Sequence, residues 1–449
     1  MSNSKRKLIY MLRTLRSFLP YGLTIIVATL VIVLGLRSYS WTAYAQDDTG
    51  QPDSAGPETP AVAPAAQVGA ENMFFMPLGF NDHNPRLSPR IGFGTSSYPV
   101  TQVGDVRALN AGWYVDWVVN SSAVRPGGAE YMPMVRVHQK LACARDTTAD
   151  REKCPYLNEY EYSPSASAIQ AYAQANPGST WLLGNEMDRV DWNGGGQDEM
   201  QPTLYPVFYK EVYDLIKAAD PTAKVAIGGV IQASPLRLQY LTTIWDTYQQ
   251  LYGTAMPVDI WNVHNFINAE FCQKEDLPGG EELICYGGAI PPDADTLIGA
   301  YYGEDWKHID RFTFDQQIRA MRQWMKDRGQ QEKPLIVTEY GVLYNKLDCA
   351  QRLPGGGCAD PNWVDLENPQ VIHDFMVWTF DYFADTKDCA IGYAADDCRL
   401  VQRWAWFGLE DVGWSFNVHG ALFDRNAKQM TAAGQRFRQY TLDNYAKLQ

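Results

Sequence analysis

Two glutamates stand directly after short apolar runs, in Thr180-Trp181-Leu182-Leu183-Gly184-Asn185-Glu186 and in Pro334-Leu335-Ile336-Val337-Thr338-Glu339-Tyr340-Gly341. Taken singly, either carboxyl also fits a solvated loop acid or a helix cap. Converging, the two would do more. One carboxylic acid protonates a departing oxygen while the other carboxylate attacks the carbon it leaves, which cleaves an acetal such as a glycosidic bond with retention. That chemistry requires the carboxyl groups to stand about 5–5.5 Å apart. The elements on which they ride must therefore converge.

Short apolar runs alternate with amphipathic stretches from about residue 71 onward. Strands are expected at Arg90–Thr95, Gly112–Val119, Tyr131–Val137, Thr180–Leu183, Val225–Val230, Val258–Val263, Leu335–Thr338 and Val401–Phe407. Helical patterns are clearest at 164–175, 204–219, 236–252, 312–328, 369–385 and 432–445, the first with Ser163 as N-cap and Pro164 at the first helical position. Val-, Ile- and Trp-rich runs each followed by a helix indicate a parallel sheet covered by helices. A doubly wound sheet shows a similar alternation. Eight units over about 380 residues fit an α/β fold of the (β/α)8 TIM-barrel type with long disulfide-stapled βα loops. In such a barrel the C-terminal strand ends share one face, and Glu186 and Glu339 would close strands four and seven.

An Asn-Glu after strand four and a Glu after strand seven resemble glycoside hydrolase clan A. Within it, Trp113-Tyr114-Val115-Asp116-Trp117, Gly184-Asn185-Glu186-Met187-Asp188, Val337-Thr338-Glu339-Tyr340-Gly341 and Arg403-Trp404-Ala405-Trp406-Phe407 are similar to family 128, the β-1,3-glucanases. The resemblance implies that Glu186 is the acid/base, Glu339 the nucleophile, and Asn185 the partner of the sugar 2-hydroxyl. It also implies a polysaccharide or oligosaccharide substrate, with linkage left open. The clan often sets a tyrosine two residues beyond the histidine of strand six to bond the nucleophile. Here Phe266 holds that position, and Tyr340, Asn265 or Arg136 are candidates to replace the lost hydroxyl.

Other side chains gather around this expectation. His264 ends Ile260-Trp261-Asn262-Val263-His264 and is a candidate donor to Glu339; the alternative is a satisfied core histidine. Sugar rings stack their C–H faces on aromatic rings, so Trp406 and Trp117 are candidate walls, against the alternative of barrel packing. Arg136 shares a strand face with Met134 and His138 and is a candidate cleft residue.

The rest of the chain constrains location and partners. Arg6, Lys7, Arg13 and Arg16 precede an uncharged run over 17–36, and Ala43-Tyr44-Ala45 offers a cleavage pattern, so 1–45 reads as a signal peptide or an uncleaved anchor. Residues 46–70, rich in Pro, Ala and acid, read as a disordered linker, and 71–449 as the catalytic domain. Cysteines 143 and 154, 272 and 285, 349 and 358, and 389 and 398 fall into four near neighbours. Short loops close most readily, so Cys143–Cys154, Cys272–Cys285, Cys349–Cys358 and Cys389–Cys398 are the expected disulfides of a secreted or extracytoplasmic protein.

Whole-chain charge is −14. Six of the 38 basic residues and none of the 52 acidic ones lie in 1–45, leaving the remainder at 32 against 52, a net of −20. Such a surface repels phosphate backbones, so no nucleic-acid partner is expected. No phosphate-binding loop, H-E-x-x-H or G-x-S-x-G occurs, and the six histidines are scattered. No cofactor, no metal and a monomeric state are expected. The competing reading from another class is an inactive carbohydrate-binding barrel at the cell surface.

Overall fold

The computed structural model describes residues 87–145, 147–191, 196–277, 280–294, 308–343, 364–413 and 416–449. The expected signal or anchor, the linker and the pair Cys349–Cys358 lie outside these residues.

The strands that carry the candidate glutamates belong to two parallel arrays. The first combines β1 (Ser88–Gly94), β2 (Ala111–Val115) and β3 (Glu130–Tyr131) with three later strands. The second is built on β4 (Met134–Leu141), β5 (Tyr156–Ser163), β6 (Thr180–Asn185) and β7 (Lys224–Gly229). Next come β8 (Trp261–Val263), the ribbon β9 (Glu270–Leu277) and β10 (Gly280–Gly287), then β11 (Leu335–Tyr340) and β12 (Arg403–Trp406). One sheet has the order β3-β2-β1-β12-β11-β8, parallel at every pairing. The other has the order β5-β4-β6-β7, parallel except for β4 with β5.

Contacts cross from one array to the other at both junctions. Parallel bridges join Ala226 to Ile260 and Val230 to Val263. At the other junction only Met132 and Pro133 separate β3 from β4. Met132 N donates to Tyr114 O at 3.1 Å, and Pro133 O accepts from Leu182 N at 2.9 Å. Proline has no N–H for a ladder, which is where the run breaks in two.

Side-chain alternation sorts the core into two layers. Trp113, Val115, Met132, Met134, Leu182, Ala226, Ile336 and Ala405 form one apolar cluster. Their neighbours Tyr114, Val135, Leu183, Ile227, Val337, Trp404 and Trp406 belong to a larger cluster shared with the helices. Those helices are α1 (Ala166–Ala175), α2 (Tyr205–Ala219), α3 (Pro235–Tyr252), α4 (Arg311–Asp327), α5 (Pro369–Asp385) and α6 (Ala432–Asp443). Their starts follow local chemistry. Ser234 caps α3 by accepting from Arg237 N, Asp310 caps α4 and Asn368 caps α5, with prolines opening α3 and α5. The cap of α1 is Ser165 rather than Ser163, because Ser163 is held in β5 opposite Arg136.

The loops after the third and sixth strands are built rather than irregular. Cys143–Cys154 closes the turn between β4 and β5, and Cys272–Cys285 is a cross-strand pair on the β9–β10 ribbon. Lys153 Nζ lies 3.3 Å from Glu282, so the two stapled loops touch. Cys389–Cys398 lies between α5 and β12.

Candidate active site

Regular alternation alone would not bring the functional side chains together, and the backbone departs from it at Glu339, Glu186 and Trp117. Along β11, Ile336 belongs to the inner cluster and Val337 to the outer. The register with β12 then slips, Val337 facing Trp404 but Tyr340 facing Trp406. That extra residue is a bulge, a device that re-aims side chains. It leaves Tyr340 pointing outward, its hydroxyl 3.2 Å from Thr379 on α5, and frees Glu339. At the end of β6, Glu186 adopts a left-handed backbone with φ 50°. Its N–H donates to Gly229 O at 2.9 Å, which fixes the turn.

His264 stands between the two glutamates. Its Nδ1 lies 3.2 Å from Glu186 Oε1, and its Nε2 lies 3.8 Å from Glu339 Oε1. The ring fits because residue 229 is glycine; a Cβ there would come within 2.5 Å of the imidazole. One oxygen from each glutamate and one ring nitrogen all lie within 4.8 Å of one another. Such a donor set would suit a cation, but Nδ1 is already engaged by Glu186, and we assign no metal ligands here. Both carboxyls are buried, Glu186 at 5 % and Glu339 at 6 % exposure.

Their environments differ. Burial works to raise Glu186, but the His264 hydrogen bond and charge outweigh it and hold its pKa below the ordinary glutamate value. Burial pushes Glu339 up to about 6; Glu186 repulsion adds to this, while His264, the Trp117 N–H and Arg136 oppose it. Burial works against charge on His264, but Glu339 and Glu186 prevail, and its pKa lies above the usual histidine range.

Around this centre the indole Nε1 of Trp117 donates to Glu339 Oε1. Arg136 donates from Nε to Asp198 Oδ1 at 2.8 Å, and Asp198 Oδ2 accepts from Asn185 N at 2.8 Å. Asn185 is thereby anchored by its backbone, while its buried side-chain Oδ1 has no hydrogen-bond partner among the described residues. Arg189 reaches Glu186 at 3.8 Å. Ile231, Phe266, Leu343 and Phe407 form an apolar group with Trp117 and Phe416 packed against it.

Of the residues expected from sequence, Glu186, Glu339, Asn185, His264, Trp117 and Arg136 meet here. Trp406 and Tyr340 do not. Trp406 is fully buried among the helix-facing residues, its Nε1 donating to Gly420 O at 2.8 Å and its ring 5.4 Å from Tyr340. The aromatic of the last strand that joins the site is its neighbour Phe407, 5.8 Å from the Trp117 ring and 6.1 Å from Phe266. Asp198 was also missed; it follows a glycine run that gives no periodic signal. Of the three candidates to replace the missing tyrosine, none supplies the donor that Trp117 gives. Asn265 does contact Glu339, but its backbone N–H bonds the Glu339 backbone carbonyl at 3.1 Å.

No family model matches the chain, and no curated protein sequence matches it. Its likenesses are to solved structures of clan A glycoside hydrolases. It is similar to a family 128 subgroup II endo-β-1,3-glucanase from Sorangium cellulosum, at 14% identity over 78% of this chain and 98% of that one, TM-score 0.43. It is similar to a family 51 α-L-arabinofuranosidase from Bifidobacterium longum, at 13% identity over 80% and 73%, TM-score 0.41. A family 10 enzyme from Paenibacillus barcinonensis stands at 14% identity over 80% and 97%, TM-score 0.38. These likenesses are distant.

Proposed function

We propose that the chain is an exported retaining glycoside hydrolase, an endo-β-glucanase, working by double displacement. The observation that carries this reading is the buried carboxylate pair, with oxygens of Glu186 and Glu339 within 4.8 Å. Retaining enzymes place the pair about 5–5.5 Å apart, whereas inverting ones leave about 6.5–9.5 Å for a water. In this reading the two parallel arrays are halves of one (β/α)8 barrel, residues 1–45 direct export, and 46–70 are a tether. Three disulfides support an oxidising destination.

Glu339 attacks the anomeric carbon while Glu186 protonates the leaving oxygen. Glu186 then takes a proton from the water that releases the glycosyl ester. In the free enzyme the proton balance is the reverse, since Glu186 is the more acidic of the two. Substrate inverts it: positive charge developing at the anomeric carbon favours ionised Glu339, and the leaving oxygen accepts from protonated Glu186. Asn185 Oδ1 supplies a free acceptor for a sugar hydroxyl, and Phe407 and Trp117 offer flat apolar faces.

The test is an activity screen on β-1,3-glucan, mixed-linkage glucan, xylan, mannan and galactan, with the product anomer read by NMR. Retention is expected, and Glu186→Gln and Glu339→Gln should each lower turnover at least about a hundredfold. A 2-deoxy-2-fluoro glycoside should leave its label on Glu339; a label on Glu186 would exchange the roles. Wild-type protein that binds glucan yet releases no reducing ends from the panel would replace this reading by a binding module.

A further inference from the structure

We propose that Trp117 is a positioning residue whose indole N–H orients Glu339 and favours its ionised form. The use of that bond in catalysis rests on the glycosidase reading above; the bond itself does not. Phe266 has no hydroxyl to offer, and the donor comes instead from a different strand end, two residues beyond β2.

The fold commits several independent features to one indole orientation. Trp117 has φ 58°, a left-handed conformation that a bulky side chain rarely adopts. The backbone carbonyls of both neighbouring residues are held by tyrosines: Tyr98 Oη donates to Asp116 O at 2.5 Å, and Tyr131 Oη to Val118 O at 2.6 Å. Val118 O also accepts from Met134 N at 2.9 Å. Tyr131 Oη also lies 2.7 Å from Asp116 Oδ1, so its single proton is shared between the Asp116 carboxylate and Val118 O, one group on each neighbour of Trp117. Space for the ring is made at the end of β1, where a Cβ on Gly94 would sit 3.0 Å from the indole Cζ2 and Cη2. Phe407 then meets the ring edge-on, at 64° between planes.

Such a placement is more than ring packing would demand. Glu339 is faced by Glu186, His264, Arg136 and Trp117. Of these, His264 lies closer to Glu186 than to Glu339, and Arg136 is bonded to Asp198. An N–H donor beside a desolvated carboxylate lowers its pKa and fixes which oxygen lone pair stays free for attack.

The experiment follows Glu339 directly. Protein labelled with 13C at the glutamate carboxyls is titrated by NMR, the resonance being assigned with Glu339→Gln. Wild type is compared with Trp117→Phe, which keeps a flat ring and removes the N–H. Benzothienylalanine at position 117, which replaces N–H by sulfur at nearly constant shape, decides the matter if the phenylalanine variant does not fold. The expected result is a rise of about one pH unit in the Glu339 midpoint, tenfold in its ionisation constant. An unchanged midpoint in a folded variant overturns the proposal. No substrate is needed, so a shifted midpoint in protein that cleaves no glycan sustains the proposal while removing the glycosidase reading. Where turnover is found, the basic limb of kcat/KM against pH, set by Glu339 as the less acidic carboxyl of the free enzyme, should move upward with the midpoint, a shift that loss of packing alone would not produce.

Discussion

Glu186 and Glu339 share one imidazole, but His264 bonds Glu186 at 3.2 Å and reaches Glu339 only at 3.8 Å. That difference has a thermodynamic consequence of opposite sign at the two positions. The folded-state pKa of Glu339, raised to about 6, exceeds its value in the unfolded chain, so the native state binds the extra proton. Its contribution to stability is therefore present below the ordinary glutamate value and is lost as pH rises through 6. Glu339→Gln should stabilise the protein above pH 6 by up to about 2 kcal/mol, with the gain vanishing below about pH 4. Glu186 is held below its ordinary value, and its contribution is present above that value and lost on acidification. Glu186→Gln should accordingly weaken the fold at neutral pH. Denaturant titrations of both variants at pH 4 and pH 7 check the pair, and gains of the same sign at pH 7 would contradict this account of the site.

Strand existence was legible because apolar runs in β-branched and aromatic residues have few alternatives, and each of the eight expected runs overlaps a strand. What periodicity could not supply was the parity at the strand ends. Trp404 and Trp406 do share a face, as alternation requires, but it is the face turned to the helices; Arg403 and Ala405 lie on the other. A shift of one residue exchanges the two faces entirely. The bulge in β11 and the left-handed turns at Trp117 and Glu186 are likewise invisible to a period-two reading. The loops concealed more: β5 and the β9–β10 ribbon are strands in stretches that read as irregular. Parity gives a direct test. Trp406→Phe leaves the buried Gly420 carbonyl without its 2.8 Å donor and should cost about 1–3 kcal/mol while leaving KM unchanged. Phe407→Leu removes the flat face at the site and should raise KM several-fold. The reverse pattern in steady-state kinetics would show that the last strand is turned the other way.

At the scale of the molecule, the cross-links among the described residues lie outside the sheets that hold the glutamates. The three disulfides span 9 to 13 residues, two on loops that touch each other and one between α5 and β12. Among the described residues the large apolar cluster draws on all six α-helices and contains no cysteine, so this core does not depend on covalent closure. Short closures still restrict the unfolded chain, by up to about 3 kcal/mol for a loop of this size. Reduction should therefore lower the denaturation midpoint without abolishing the folded state, and should expose the segments around Cys143–Cys154 and Cys272–Cys285 to protease first. The same logic of near neighbours extends to Cys349 and Cys358, nine residues apart in the sequence. Thiol titration of the unfolded, unreduced protein should then read no free cysteine, and eight after reduction. Two free thiols before reduction would show that Cys349 and Cys358 are not paired.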